Sequence, residues 1–522
     1  MLQISQLWKS NIIVFISSFC VMVIELIAAR FLAPYIGVSL YTWTSIIGVI
    51  LAGIAIGNYI GGKIADRYPH PSILTSIFLV GSLATICILP FGRMVATADW
   101  FSELPLMLNY SLTTVCIFFI PAVILSMVSP LVIKLSLPDV KKTGGVVGTV
   151  YAFSTAGAIL GTFATGFYLI LWFGIQSIIW LVAVILIVTG ILAWFAWKIP
   201  NRWKATAVNA ATWGIAGVVI ISSIVAFQFR GAWQEDYTVE SNYYTIKVED
   251  SGTMKMLILD HLVHSFVNVN DPTAIVYGYQ KNFIERVSYY MRDNPAPRIL
   301  HMGGGGYTFP RYLEALYPEV VNEVIEIDPE VTRITYSELG LSPDTSIVTY
   351  NEDARRFLMK RGSREKYDII VGDVFNDVST PYHLTTVEFQ QLVKSNLSEN
   401  GIYMINIIDD FQKGRYMPSV ILTLQQVFEH VTLFAPTEGY TVLRLGTFVV
   451  VASDKEFDSD DYFTFLKETG INIPAGTPYS EAVLHDYLST RDPILLTDDY
   501  APTDILVAPT IEFRLKTQNY QY

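Results

Sequence analysis

The sequence predicts an N-terminal multi-span α-helical membrane bundle joined to a C-terminal α/β domain, with a small β-rich piece between them. Three observations predict this. Residues 10–230 are almost continuously apolar, whereas 231–522 read like an ordinary soluble protein. Several stretches of the first part reach the roughly 20 apolar residues that a span needs. The second part alternates short apolar runs with helical stretches, and its first such run ends in four glycines, Gly303–Gly306. Alternation of that kind builds a parallel, doubly wound sheet.

Composition narrows the function classes. Hydrophobic residues make up 52% of the 522 residues and charged residues 16%, against about 25% charged in a soluble globular chain. The net charge is -12, and no run of Lys and Arg is dense enough for a nucleic-acid patch, which excludes DNA or RNA as a partner. The three cysteines, Cys20, Cys87 and Cys116, all fall in apolar segments. They read as small packing residues, not as a disulfide set, and no Cys/His cluster has metal-ligand spacing.

In the first part, residues 1–230, seven segments read as spans: Ile12–Leu32, Thr42–Tyr59, Ile73–Leu89, Leu106–Val128, Val146–Leu171, Ile178–Trp197 and Ala211–Phe227. Gly53, Gly57 and Gly61, and then Gly157 and Gly161, repeat at four-residue spacing, which lets helices approach closely. Glu25 and Arg30 lie in or near the first span, where a charge is costly, and are expected to pair. Lys63, Arg67, Lys134, Lys141, Lys142, Lys198, Arg202 and Lys204 fall in alternate loops, which should be cytoplasmic. The stretch Gly61-Gly-Lys-Ile-Ala-Asp-Arg67 resembles the cytoplasmic loop between helices 2 and 3 of major-facilitator transporters. Seven spans starting inside would then put the second part outside, so either one span is miscounted or the second part is extracytoplasmic.

Residues 231–292 read as short strands, such as Tyr244–Val248 and Met256–Leu259, then a connecting helix over Thr273–Met291. Residues 293–522 read as a Rossmann-like domain. Strands are expected at Arg298–Met302, Val321–Ile327, Ile347–Tyr350, Asp368–Val371 and Ile402–Ile407, with helices over Phe309–Leu316 and Val387–Leu397. In such a fold the ligand lies beyond the carboxyl ends of the strands, at the switch point. Gly303, Gly304 and Gly305 would let backbone approach it. Glu326, 20 residues past Gly306, could accept from ribose hydroxyls. Asp353 follows the third strand, where the edge of a base would lie. Asp373 ends the fourth, where a carboxylate could take a proton or attract a cation.

Taken in order, Gly303-Gly-Gly-Gly-Tyr307, Glu326-Ile-Asp328, Asp353-Ala354, Tyr367-Asp-Ile-Ile-Val-Gly-Asp373, Leu384-Thr-Thr-Val-Glu-Phe389 and Pro502-Thr-Asp504 resemble the aminopropyltransferases, the spermidine synthase family. The multi-span region in front looks like that family's membrane-bound bacterial branch. The resemblance implies a methyltransferase-type Rossmann domain. It implies transfer of an aminopropyl group from decarboxylated S-adenosylmethionine to a diamine such as putrescine, giving spermidine and methylthioadenosine. By the same resemblance Asp373 is the base, Gly303, Gly304, Gly305, Glu326 and Asp328 hold the donor's ribose side, and Asp353 with Ala354 holds adenine. Asp377, Tyr244, His264 and Tyr307 become candidates to line the amine pocket. A multi-pass protein of the inner membrane follows, with the lipid bilayer and a small amine as partners and a homodimer as one candidate assembly.

The chain departs from the family pattern on the amine side. The family's loop aspartate falls at Gly306. Its Ser-x-Tyr-Gln element reads Ser241-Asn-Tyr-Tyr244, its Leu-Asp-Gly-x-x-Gln reads Leu259-Asp260-His-Leu-Val-His264, and its Tyr-His-Glu reads Tyr277-Gly-Tyr279. An extra residue separates Asp373 from Asp377. Two other readings therefore stay open: another S-adenosylmethionine-dependent enzyme, such as a methyltransferase or lyase, and a membrane transporter or sensor with a degenerate nucleoside-binding domain.

Overall fold

A computed structural model describes residues 2–96, 101, 104–137, 143–196, 238–361, 365–375, 378–436, 445–471 and 474–517. The chain divides into two compact units, Met1–Thr245 and Ile246–Tyr522.

In the first unit, six helices are long and apolar enough to cross a membrane: Trp8–Ile36, Leu40–Arg67, Pro71–Ala96, Leu106–Ser136, Thr143–Leu169 and Ile175–Phe195. The seventh expected segment, Ala211–Phe227, lies outside the described residues. The expected glycines sit where backbones meet. A Cβ on Gly57 would lie 2.3 Å from the Val123 carbonyl oxygen, and one on Gly157 would lie 2.2 Å from that of Phe15. Lipid supplies no hydrophobic force between helices, so close approach and interhelical hydrogen bonds hold the bundle. Ser10 meets Ser136 at 2.5 Å, Ser18 meets Ser154 at 2.7 Å, and Ser82 donates to the Ala183 carbonyl at 3.0 Å. Single π-helical turns at Val115–Phe119 and Thr165–Leu169 interrupt the fourth and fifth spans. The expected Glu25–Arg30 pairing is replaced by a cap. Among the described residues Arg30 donates to the carbonyls of Ser241 and Asn242.

The second unit opens with an antiparallel meander of β1 (Thr245–Ser251), β2 (Met254–Leu259) and β3 (Leu262–Asn268). Leu259 pairs with Leu262 across the tight turn Asp260-His261, and Asp260 takes φ +54° there. An aspartate tolerates that left-handed conformation better than most residues. The helix α1 (Gly278–Met291) starts five residues later than the sequence suggests, past the irregular stretch 273–277.

Then come β4 (Arg298–Met302), α2 (Thr308–Leu316), β5 (Val321–Ile325), α3 (Pro329–Glu338), β6 (Val348–Tyr350), α4 (Ala354–Arg361), β7 (Tyr367–Gly372), α5 (Val387–Asn396), β8 (Leu397–Asp410) and α6 (Tyr416–Gln425). The chain ends with β9 (His430–Pro436), β10 (Leu445–Ser453), α7 (Ser459–Glu468), β11 (Gly476–Pro478), α8 (Glu481–Ser489) and α9 (Thr503–Thr517). The eight strands lie in the order β11-β9-β10-β8-β7-β4-β5-β6. Neighbours from β8 to β6 run parallel, while β10 pairs antiparallel with both β8 and β9. This is the expected methyltransferase-type arrangement. Strands covered on both faces read as near-continuous apolar runs, and β4 buries every residue after Arg298, His301 included. Phe283, Val287, Ile299, Phe309, Leu313, Ile369, Val371 and Met404 form one core, each contributing roughly 1.5–3 kcal/mol by burial.

The sheet fixes the site. From β4 the chain winds outward through β5 to β6, then crosses back to β7 on the other side of β4. The crevice lies where those two directions part, between the carboxyl ends of β4 and β7.

The close approach of the fifth span to the first is the most exacting contact in the bundle. Substituting Gly157→Val should destabilise the unit by about 1–3 kcal/mol through overpacking. The check is the midpoint of detergent-induced unfolding; Gly144→Ala, with nothing within 4 Å of its Cβ position, serves as the neutral comparison.

Candidate active site

At the end of β4 the backbone turns on Gly303, with φ +95°, and a Cβ there would lie 2.2 Å from the Asp373 carbonyl oxygen. Only glycine fits. The Gly303 amide donates to the Ile325 carbonyl at 2.8 Å, and the Asp373 amide donates to the Met302 carbonyl at 2.9 Å. Three strand ends are thus tied together below the crevice.

Glu326, just past β5, is buried. Its Oε2 accepts the amides of Gly304 at 2.9 Å and Gly305 at 3.2 Å, and its Oε1 accepts the Asp328 amide at 3.0 Å. Burial raises its pKa, and the three amides oppose that rise. A carboxylate oxygen has two lone pairs, so Oε1 keeps one for a hydroxyl in the crevice. Glu326 therefore shapes the glycine loop as well as facing it.

Asp373 is held at both oxygens. Tyr279 of α1 donates its hydroxyl to Oδ2 at 3.0 Å, and Asn406 of β8 donates Nδ2 to Oδ1 at 2.9 Å. Burial pushes the Asp373 pKa up, while the two donors pull it down. The side chain is nevertheless partly open, so a ligand can reach it. Tyr277 lies 5.3 Å from Phe266 and 5.5 Å from Tyr279, centroid to centroid. Burial keeps both phenols protonated, that of Tyr277 pushed up to about 12 and that of Tyr279 raised further beside Asp373. Aromatic faces next to a carboxylate suit an alkylammonium, and Asp373 is placed to take a proton from it.

Asp353 precedes α4. Its Oδ1 accepts the Arg356 amide at 2.9 Å, and its Oδ2 pairs with His383 Nε2 at 2.9 Å. The hydrogen bond from His383 is the main reason its pKa falls below the usual carboxylate range. Ala354 is buried beside it.

Several expected site residues do other work. Tyr307 is fully buried, with φ +54°; it packs on Val324, Leu341 and Ile347, and its hydroxyl meets Thr332 and Thr349 at 3.2 Å each. It cannot line an amine pocket from inside the core. Asp328 caps α3, its Oδ1 accepting the Glu330 amide at 2.9 Å, and is 1% exposed, so it too is withdrawn from a ligand. His264 lies half-buried on β3, and Tyr244 belongs to the other unit, its amide donating to the Ser241 hydroxyl at 2.8 Å. Asp377 lies outside the described residues. Gly306 donates its amide to Ser265 Oγ at 2.9 Å, and a Cβ there would lie 2.6 Å from a Val267 methyl.

Sequence reasoning missed Tyr279, Asn406 and His383. Asn406 did leave a signal: an amide inside an otherwise apolar strand must find a partner. Tyr279 and His383 reach their carboxylates from 94 and 30 residues away in the chain, and no local pattern announces that.

No protein-family profile matches the chain. It is similar to a polyamine aminopropyltransferase of Vibrio vulnificus, 38% identical over 115 residues, 22% of this chain and 38% of that one. It is also similar to a probable polyamine aminopropyl transferase of Bifidobacterium longum, 28% identical and covering 41% and 50% of the two chains. The chain thus spans half or less of the length of these two relatives. Among solved structures it resembles a probable spermidine synthase from Corynebacterium glutamicum, at 25% identity and a TM-score of 0.44, over 50% of this chain and 96% of that one.

Removing the carboxylate that gathers the loop should loosen it. Glu326→Ala is expected to cost about 1–3 kcal/mol by leaving buried amides unpaired. Hydrogen exchange should then speed up at Gly304, Gly305 and Asp328, with little change at the Arg356 amide, which Asp353 holds.

Proposed function

We propose that this chain, whose C-terminal half belongs to the spermidine synthase family, transfers an aminopropyl group from decarboxylated S-adenosylmethionine to a small diamine of the putrescine type. The observation that supports it most is the set of carboxylates at three successive strand ends, with Asp373 beside an aromatic wall. In this reading residues 1–230 form the membrane domain of a multi-pass inner-membrane protein, 231–292 the β-rich subdomain, and 293–522 the transferring domain. Spermidine and methylthioadenosine are the products.

The chemistry is displacement at the carbon next to a sulfonium. The amine nitrogen forms a bond to that carbon, the carbon–sulfur bond breaks, and the pair leaves on sulfur as a neutral thioether. The attacking nitrogen must be unprotonated, although free amines of this class have pKa values near about 10.4. Asp373 accepts the proton, and Tyr279 and Asn406 hold its carboxylate in place for that transfer. Glu326 Oε1 takes a ribose hydroxyl, and Asp353 with Ala354 takes the adenine edge. Gly306 brings no carboxylate to the loop, so the donor's ammonium falls to the wall of Tyr277 and Tyr279.

The full-length protein in detergent, given decarboxylated S-adenosylmethionine and a panel of diamines, should release methylthioadenosine. Release with no diamine, while methylthioadenosine still binds, overturns the proposal. Replacing Asp373→Asn should lower kcat/KM by about 10²–10⁴-fold and leave nucleoside binding in place. Tyr279→Phe removes a donor that favours the ionised carboxylate, so the Asp373 pKa rises. The acidic limb of the kcat/KM profile should therefore move to higher pH, with Asn406 still holding the other oxygen.

A further inference from the structure

Asp353 is gripped from outside its own helix. His383 comes from the turn Tyr382–Leu384, and that turn is pinned in its own right. The Arg355 guanidinium donates to the His383 carbonyl at 3.0 Å and grips Asp498 through two bonds of 2.7 and 2.5 Å. The Thr386 hydroxyl donates to the same Asp498 carboxylate at 2.7 Å. Arg355 is two residues from Asp353 and would be its natural cation, but Asp498 draws it away. The imidazole of His383 is what rests on Oδ2 instead. Both side chains stay partly open, at 22% for Asp353 and 35% for His383.

We infer that His383 is a positioning residue that sets which purine the crevice accepts. The inference rests on the nucleoside reading above, with Asp353 facing the base. An ionised carboxylate only accepts hydrogen bonds, so the His383 ring must present Nε2–H to it. That bond at Oδ2 and the α4 amide at Oδ1 fix the plane of the carboxylate and keep it ionised. The lone pairs that remain can meet an exocyclic amine, which donates. They repel a ring carbonyl, which brings a second acceptor to the same place. A 6-amino purine is therefore taken and a 6-oxo purine refused. A site built around a hydrogen bond discriminates strongly because the wrong partner leaves its buried polar groups unpaired. If His383 is removed, the carboxylate is free to turn or to take a proton, and either event weakens that selection.

The test is calorimetric binding of methylthioadenosine and methylthioinosine to the full-length protein in detergent. The unsubstituted protein should prefer the adenine compound. His383→Leu should weaken that compound by about tenfold and leave the hypoxanthine compound unchanged, so the preference collapses. His383→Gln keeps an N–H donor near the Nε2 position and should restore the preference. An unchanged ratio in His383→Leu overturns the inference, and so does an equal loss of both compounds in the two variants, which would mark His383 as purely structural. If the unsubstituted protein binds neither compound, the nucleoside reading itself falls, and this inference with it.

Discussion

The Gly303 amide on the Ile325 carbonyl and the Asp373 amide on the Met302 carbonyl bind the ends of β5, β4 and β7 into one ladder, at the point where the chain reverses its direction across the sheet. The near-contact of Gly303 with the Asp373 carbonyl sets how closely the two central strands approach. Everything in the crevice inherits its position from that junction. The glycine loop can gather on Glu326 only because Gly303 turns where it does, and Asp373 faces the crevice because its own amide is already committed to the strand behind.

Glu326, Asp353 and Asp373 are each partly neutralised by donors of the protein: three amides, an amide and an imidazole, and a phenol and an amide. Burying charge is tolerable only with such partners. The same partners leave each carboxylate with lone pairs free to accept more. Across the sheet, from β7 through β5 to β6, the acceptors come in the order Asp373, Glu326, Asp353.

Much of this was legible in the sequence because strand ends are local. The glycines, Glu326 and Asp373 each follow an apolar run, and period and punctuation place them without knowledge of the third dimension. The failures have physical causes. Tyr307 follows the glycines like a loop residue, yet a left-handed turn swings its ring into the core, and no pattern encodes that sign of φ. Asp328 sits one residue before Pro329, which marks a helix cap as clearly as a ligand. Tyr279, Asn406 and His383 act through contacts made only by folding. In the membrane part, hydropathy finds the spans, but the Arg30 cap on Ser241 and Asn242 joins positions more than 200 residues apart, and charge counting cannot reach that far.

Gly306 carries a consequence for what the loop can hold. Any side chain there would press on Ser265 and Val267 of β3, and Ser265 also holds its amide. An aspartate arriving there alone would be forced against both. Trimming β3 first would open a void under the loop and release its anchor. A side chain at Gly306 therefore requires β3 to change with it. The chemistry open to the loop is thus constrained by a strand residue 41 positions earlier in the chain.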